Sequence, residues 1–259
     1  MKLLVGVIVS GFPVKVVPVE FWKAYEQLAS RIREGPCGLT YYEMKLSESF
    51  PTDVARNQIV RYMLSKDFDA LLFLDADHVF DPTLFERLAE HGKPVITARY
   101  HVKRPPFHAN AYIRHPLAPV GRYKTVHYGR GCFEIDRGGA GALLIQRRVV
   151  EAIGEDWFRY QRNPNQGEPA DFSVSEDFWF YQRAQEEGFS CWVDWDTEAQ
   201  HLAQVAIGRE QNDVYLRELE KELTPTLAQQ LVVCGYDRPL QVTPEYAIEP
   251  FRRELCQPA

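Results

Sequence analysis

The tightest constraint on the fold is a run without a polar residue, Ala70-Leu-Leu-Phe-Leu74, that ends directly on Asp75-Ala76-Asp77. A strand with no wet face is buried between layers, as strands of parallel sheets are. Leu3 to Ser10, bounded by Gly11 and Pro13, has the same character, and Leu39 to Leu46 and Pro94 to Ala98 read as further strands. Between these runs the apolar period changes to that of a helix. Phe21, Tyr25, Leu28 and Ile32 recur at helical spacing until Gly35-Pro36 stops them. Thr52 or Asp53 is placed to cap a helix carrying Val54, Ile59, Met63 and Leu64, and Asp81-Pro82 to open one through Leu84, Phe85 and Leu88. Regular alternation of strand and helix predicts an α/β sheet with parallel strands.

The alternation breaks after residue 99. Residues 101–131 are rich in Pro, His, Arg and Tyr without a helical period, and read as a long loop or irregular strands. Strands are expected again at Cys132 to Ile135 and Gly141 to Ile145, then a helix through Val149 and Ile153. After a polar loop from Asn163 to Pro169 come a helix from Glu176 to Glu187, a strand from Phe189 to Val193 and an acidic turn from Asp194 to Glu198. Beyond Gly208 the chain reads as a polar helix and a proline-punctuated tail, placed as packing or an oligomer contact.

Charge is unevenly spread. Lys plus Arg total 30 against 36 for Asp plus Glu, so the net charge of -6 excludes a wholly basic nucleic-acid binder. Yet from His91 to Phe133 there is no Asp or Glu, while five of the seven histidines fall there. Within it the segment 99–130 interleaves Arg99, Lys103, Arg104, Arg114, Arg122, Lys124 and Arg130 with Tyr100, Phe107, Tyr112, Tyr123 and Tyr128. That mixture suits a phosphate-bearing partner, DNA included, and equally a solvated loop whose charges pair elsewhere. The five scattered cysteines form no C-x-x-C pair, pointing to a reducing, cytoplasmic setting, and no apolar run approaches the ~18 residues of a membrane span.

Three sites carry chemistry. Asp75-Ala76-Asp77 leaves the carboxyl end of a buried strand, where open α/β sheets bind ligands, and two carboxylates on such a turn can hold a divalent cation against phosphate oxygens. The same acids also suit a simple strand end. Gly138-Gly139-Ala140-Gly141 removes side chains where a ligand can approach the backbone. Ser175-Glu176-Asp177 opens a helix with two carboxylates, a stabilising arrangement in itself and also a source of a general base. His201 is a candidate third protein ligand for the cation.

In order and spacing, Phe73-Leu74-Asp75-Ala76-Asp77, Gly139-Ala140-Gly141, Ser175-Glu176-Asp177-Phe178-Trp179-Phe180 and His201 resemble the motifs of GT-A glycosyltransferases, closest to compact bacterial and phage members similar to glycosyltransferase family 2. Asp53-Val-Ala-Arg56-Asn57 resembles the A-R-N helix upstream of the D-x-D in such proteins. Ser175 stands where glycine is usual, and Ala140 where a small hydroxyl is more common. The resemblance implies a single GT-A, Rossmann-like domain over residues 1–207, with a mixed, mostly parallel central sheet and a C-terminal helical extension over 208–259.

It also implies roles. Asp77 would coordinate Mn²⁺ or Mg²⁺, Asp75 would hold ribose and metal-bound water, and His201 would complete the ligands. Ser10 and Gly11, with Val9, would border the base and ribose, Gly139 and Gly141 would lie at the cofactor site, and Arg56 would contact the nucleotide or pyrophosphate of a nucleotide-diphosphate sugar. Asp177 would deprotonate the acceptor hydroxyl, tilting the reaction toward inversion, and Glu176 would orient acceptor or sugar. Phage members of such families can modify DNA bases, so the resemblance also admits a DNA acceptor on segment 99–130. Two rivals stand beside this reading: a nucleotidyltransferase, for which Gly11-Phe-Pro-Val-Lys15 is a poor phosphate loop, and a catalytically silent nucleotide-sugar or nucleic-acid binding module.

Overall fold

The computed structural model describes residues 1–9, 17–103, 106–114, 123–162 and 173–203. Ser10, Gly11, the loop at 163–169 and the extension from 208 lie outside these residues.

The elements run β1 (Lys2–Ile8), α1 (Val19–Arg33), β2 (Tyr41–Ser47), α2 (Thr52–Ser65), β3 (Ala70–Asp75), β4 (His78–Phe80), α3 (Leu84–Glu90), β5 (Val95–Arg99), β6 (Ala111–Arg114), β7 (Tyr123–Thr125), β8 (Cys132–Ile135), β9 (Arg137–Gly138), β10 (Ala142–Gln146), α4 (Arg147–Ile153), β11 (Gln161–Arg162), β12 (Ser173–Val174), α5 (Glu176–Glu186) and β13 (Cys191–His201). The main sheet has the order β2-β1-β3-β10-β5-β13-β4, with β8 also paired to β13. β1, β2, β3, β5 and β13 run one way, while β10, β4 and β8 run against them. The sheet is mixed and mostly parallel, as expected.

Two apolar layers cover it. On one face Ile59, Val60 and Met63 of α2, Val149 and Val150 of α4 and Phe180 and Tyr181 of α5 pack against β-strand residues such as Leu71, Phe73 and Leu143. On the other, Phe21, Tyr25, Leu28 and Ile32 of α1 join Leu84, Phe85 and Leu88 of α3 against Leu3, Val5, Leu72 and Leu74. The positions read from the sequence on α1 and α3 are thus core positions, as are Ile59 and Met63 of α2, whereas Val54 is exposed and Leu64 only partly buried. β6 and β7, from the segment expected to be irregular, form a separate small sheet with β9.

Three local expectations change. α2 begins after Pro51, with no side-chain cap from Thr52 or Asp53, and α3 begins at Leu84, two residues beyond Pro82. Asp81 instead accepts hydrogen bonds from the amide and hydroxyl of Thr83, closing the turn ahead of α3. The acidic stretch Asp194 to Glu198 is not a turn that ends a strand. It is a bulge inside the long strand β13, which continues to His201 and pairs antiparallel with β4.

Candidate active site

β3 ends at Asp75 and the chain turns at once into β4, so Asp77 and His78 sit at the edge where β13 arrives. The register pairs His201 directly with His78. Directly opposed residues lie on one face, and the two imidazoles stack with centroids 4.3 Å apart and planes 19° off parallel. His78 is 1% exposed, and its Nδ1 lies 3.0 Å from Asp77 Oδ1. Nε2 of His78 has no hydrogen-bond partner. His201 Nε2 lies 3.5 Å from Asp77 Oδ2, and His201 Nδ1 hydrogen-bonds to the carbonyl of His101 at 2.9 Å. Burial works against the Asp77 carboxylate, but His201, His78 and the ammonium of Lys103, 2.5 Å from Oδ2, outweigh it and hold its pKa far below the usual range.

Asp77, His78 and His201 each offer a ligand atom, all within 4.8 Å of one another. A carboxylate and two imidazoles make a donor set for a divalent transition cation, and the unpartnered Nε2 of buried His78 is the kind of orphan such an ion satisfies. The residues therefore fit the cation that the D-x-D implied, with one substitution in the set. Asp75, expected beside Asp77, faces Arg56 instead, and His78, which the sequence reading passed over, takes its place in the cluster.

Arg56 projects from α2 and is 2% exposed. Its Nη2 lies 3.0 Å from Asp75 Oδ1 and donates to Oδ2 at 3.1 Å, while Nε reaches Glu176 Oε1 at 3.5 Å and Nη1 donates to the Ala140 carbonyl at 3.3 Å. The guanidinium also lies 5.3 Å from the Phe73 ring centroid and 5.7 Å from that of Phe158. Arg56 thus ties together the D-x-D turn, the glycine segment and the start of α5. Its contacts in this structure are with the site's own carboxylates. The adjacent Asn57 pins the chain on the other side, donating to the Phe158 carbonyl at 2.7 Å and accepting from the Phe158 amide at 3.1 Å. Trp157 and Phe158 are buried in the core, Phe158 stacked on Phe180 at 4.8 Å.

Glu176 and Asp177 open α5, whose N-cap Ser175 accepts from the Phe178 amide at 3.4 Å. Glu176 is buried on Arg56; Asp177 is half-buried. Desolvation, then the negative charge of Glu176, push the Asp177 pKa up from 3.8 to about 7, against the pull of Ser175 and Arg56. A carboxyl that exchanges its proton near neutrality is suited to general-base work.

The glycines explain themselves by contact. A Cβ on Gly139 would stand 1.6 Å from the Tyr100 hydroxyl, and one on Gly141 would stand 2.6 Å from His78 Cε1, 2.9 Å from His78 Nε2 and 3.2 Å from Asp75 Oδ2. Tyr100, read from the sequence only as one of the aromatics of segment 99–130, stands inside the site. Its ring meets His78 edge-on at 4.6 Å, and its hydroxyl accepts from the Gly141 amide at 3.2 Å and from Asn110 at 2.7 Å. Burial and the nearby Asp177 and Asp75 charges raise its pKa well above the usual phenol value, so it stays protonated. It stands between the Asp–His cluster and the carboxylate pair.

No protein-family model and no curated protein matches the chain. Solved structures do. A197 from STIV aligns with a TM-score of 0.50 at 18% identity, over 79% of this chain and 87% of that one. GalNAc-T7, solved with UDP, GalNAc and Mn²⁺, aligns with a TM-score of 0.50 at 10% identity, over 79% of this chain and 44% of that one. The fold is GT-A. In this GT-A frame the D-x-D turn, the glycine segment and the α5 carboxylates meet at the carboxyl end of β3. Among the described residues, no helix is long and apolar enough to cross a membrane.

Proposed function

We propose that the protein transfers a sugar from a nucleotide-diphosphate sugar to an acceptor hydroxyl, with inversion at the anomeric carbon. The observation that carries the reading is the convergence of two unlike groups in a GT-A frame. One is an Asp77–His78–His201 cluster fit for a divalent cation, and the other is a carboxyl, Asp177, held near neutral pKa.

Asp77, His78 and His201 would hold the cation, and two imidazoles favour Mn²⁺ over Mg²⁺. When bound, such a cation supplies positive charge for the departing diphosphate. The chain's own residues do the rest. Asp177 accepts the proton of the acceptor hydroxyl as the new C–O bond forms and the bond to the diphosphate oxygen breaks. Arg56 holds Asp75 and Glu176 in fixed positions, so neither carboxylate competes for space or charge with the incoming diphosphate. Gly139 and Gly141 keep the floor free of side chains beside Tyr100 and His78. Glu176 raises the basicity of its neighbour by repulsion.

The test is a panel of nucleotide sugars with Mn²⁺, reading nucleoside-diphosphate release together with a metal-dependent thermal shift. Release from at least one donor is expected. Neither release nor a shift with any donor overturns the reading. Asp177→Asn is expected to abolish transfer while keeping donor binding, and a fully active Asp177→Asn protein would place the base elsewhere.

A further inference from the structure

Further along α5 from Glu176 and Asp177, the side chains of Gln182, Gln185 and Glu186 line a surface cavity of about 320 Å³ together with Arg114 of β6, Tyr123 of β7 and Arg137 of β9. Arg137 is 4% exposed, and its Nη1 donates to two neutral acceptors, the Asp136 carbonyl at 2.7 Å and Gln185 Oε1 at 2.6 Å. Its guanidinium lies over the Tyr123 ring, 4.6 Å from the centroid. Arg114 is exposed at the mouth and hydrogen-bonded to Tyr123. The carboxylate lining the cavity, Glu186, is engaged by Arg183 Nη1 at 2.7 Å and Gln182 Nε2 at 2.9 Å. Asp136, the other nearby acid, accepts the Arg114 backbone amide at 2.5 Å. Gln182 and Gln185 spend their amide N–H groups on Glu186 and on the Ile135 and Asp136 carbonyls, so the cavity presents two guanidinia and a phenol around a space whose acids already have partners. Planar N–H forks of this kind match tetrahedral oxyanions.

The cavity is coupled to the candidate active site by packing. The rings of Tyr112 and Tyr123 meet Phe178 at 5.0 and 6.0 Å, and Phe178 follows Asp177 on α5. At about 1.5 Å of rise per residue, the α5 lining lies roughly 8–14 Å along the axis from Asp177. We propose that this cavity binds a phosphate group carried by the acceptor, as monoester or diester, while the acceptor's hydroxyl reaches Asp177. The role of the hydroxyl rests on the glycosyl-transfer reading; the binding of the anion does not.

The experiment is calorimetric titration of the full chain with inorganic phosphate and, separately, with a short oligodeoxythymidylate. Donor hydrolysis without acceptor is measured in parallel. Saturable binding is expected. Arg114→Gln is expected to weaken it at least about tenfold, the usual worth of a hydrogen bond to a charged group. Arg137→Lys keeps the buried charge but loses the fork, and is expected to act in the same direction. Arg33→Gln, on the exposed side of α1, is expected to change nothing. An oligonucleotide that binds at least tenfold tighter than phosphate and is displaced by it identifies a nucleic-acid strand as the source. Equal affinities identify a small phosphorylated acceptor. No saturable binding of either probe, or binding indifferent to both Arg114→Gln and Arg137→Lys, overturns the proposal. Loss of donor hydrolysis in the unmodified protein would instead strike the function proposed above and leave the phosphate titration to decide this one.

Discussion

Replacing Glu176 with glutamine should lower the pH at which Asp177 gives up its proton. Asp177 titrates near 7 rather than 3.8 because it is desolvated and because Glu176 stands beside it with a like charge. At an effective dielectric near 20, a unit charge about 6 Å away is worth about 3 kcal/mol, or about two pKa units. Asp177 is half-buried, so water at the mouth of the site screens part of this. One to two units is the reasonable expectation. Arg56, relieved of one of its carboxylates, acts in the same direction, because its field already favours ionised Asp177. The acidic limb of kcat/KM for nucleoside-diphosphate release should therefore move from about 7 to roughly 5–6. The level of activity is free to fall; the position of the limb is the readout. Stability provides a second reading with its own sign. The folded-state pKa lies above 3.8, so the protonated carboxyl stabilises the fold fully below that pH, and the contribution is lost as pH rises through about 7. In Glu176→Gln the loss should be smaller and complete at lower pH. A limb that stays at 7, or moves upward, would show that Glu176 does not set the basicity of Asp177.

Other outcomes follow from the same geometry. Lys103→Met removes an ammonium seated 2.5 Å from Asp77 Oδ2, so Mn²⁺ affinity read by electron paramagnetic resonance should rise about fivefold, the scale of a half-exposed charge contact. Gly141→Ala drives a methyl group against His78, and should cost about 1–3 kcal/mol of stability in denaturant unfolding while abolishing Mn²⁺ binding. Arg147→Met withdraws a guanidinium that donates to the carbonyls of Met63, Leu64, Lys66 and Phe68 around the end of α2. It should cost about 3 kcal/mol by chemical denaturation and leave Mn²⁺ affinity unchanged.

What the sequence made legible, and what it hid, divides by the range of the interactions that decide each feature. The apolar runs of β1 and β3, the helical stripes of α1 and α3, and the Ser175-Glu176-Asp177 helix start are local patterns, and each stands where it was expected. Strand direction is not local. The run that becomes β10 carries no mark of polarity, yet it enters antiparallel between β3 and β5, and so delivers Gly141 next to His78 rather than at the opposite end of the sheet.

The cation cluster was half visible for the same reason. Asp77 and His201 were singled out, but His78 joins them only because β4 and β13 pair, and three residues are too few to declare a strand by periodicity. By residue type His78-Val79-Phe80 does not alternate; the alternation of a strand appears only in its burial, with His78 and Phe80 buried and Val79 half-buried between them. Arg56 shows the converse. Its place in the A-R-N segment drew notice only through the resemblance to nucleotide-sugar enzymes. A cation on a helix face that is otherwise apolar must find carboxylates or stay out of the core, and its partners lie 19 and 120 residues away in the chain. A nucleotide was the partner inferred when only the helix was in view. In the fold Arg56 lies on Asp75 and Glu176, while Asp77 stands apart from it with His78 and His201, and Asp177 beside Glu176 is raised toward neutrality.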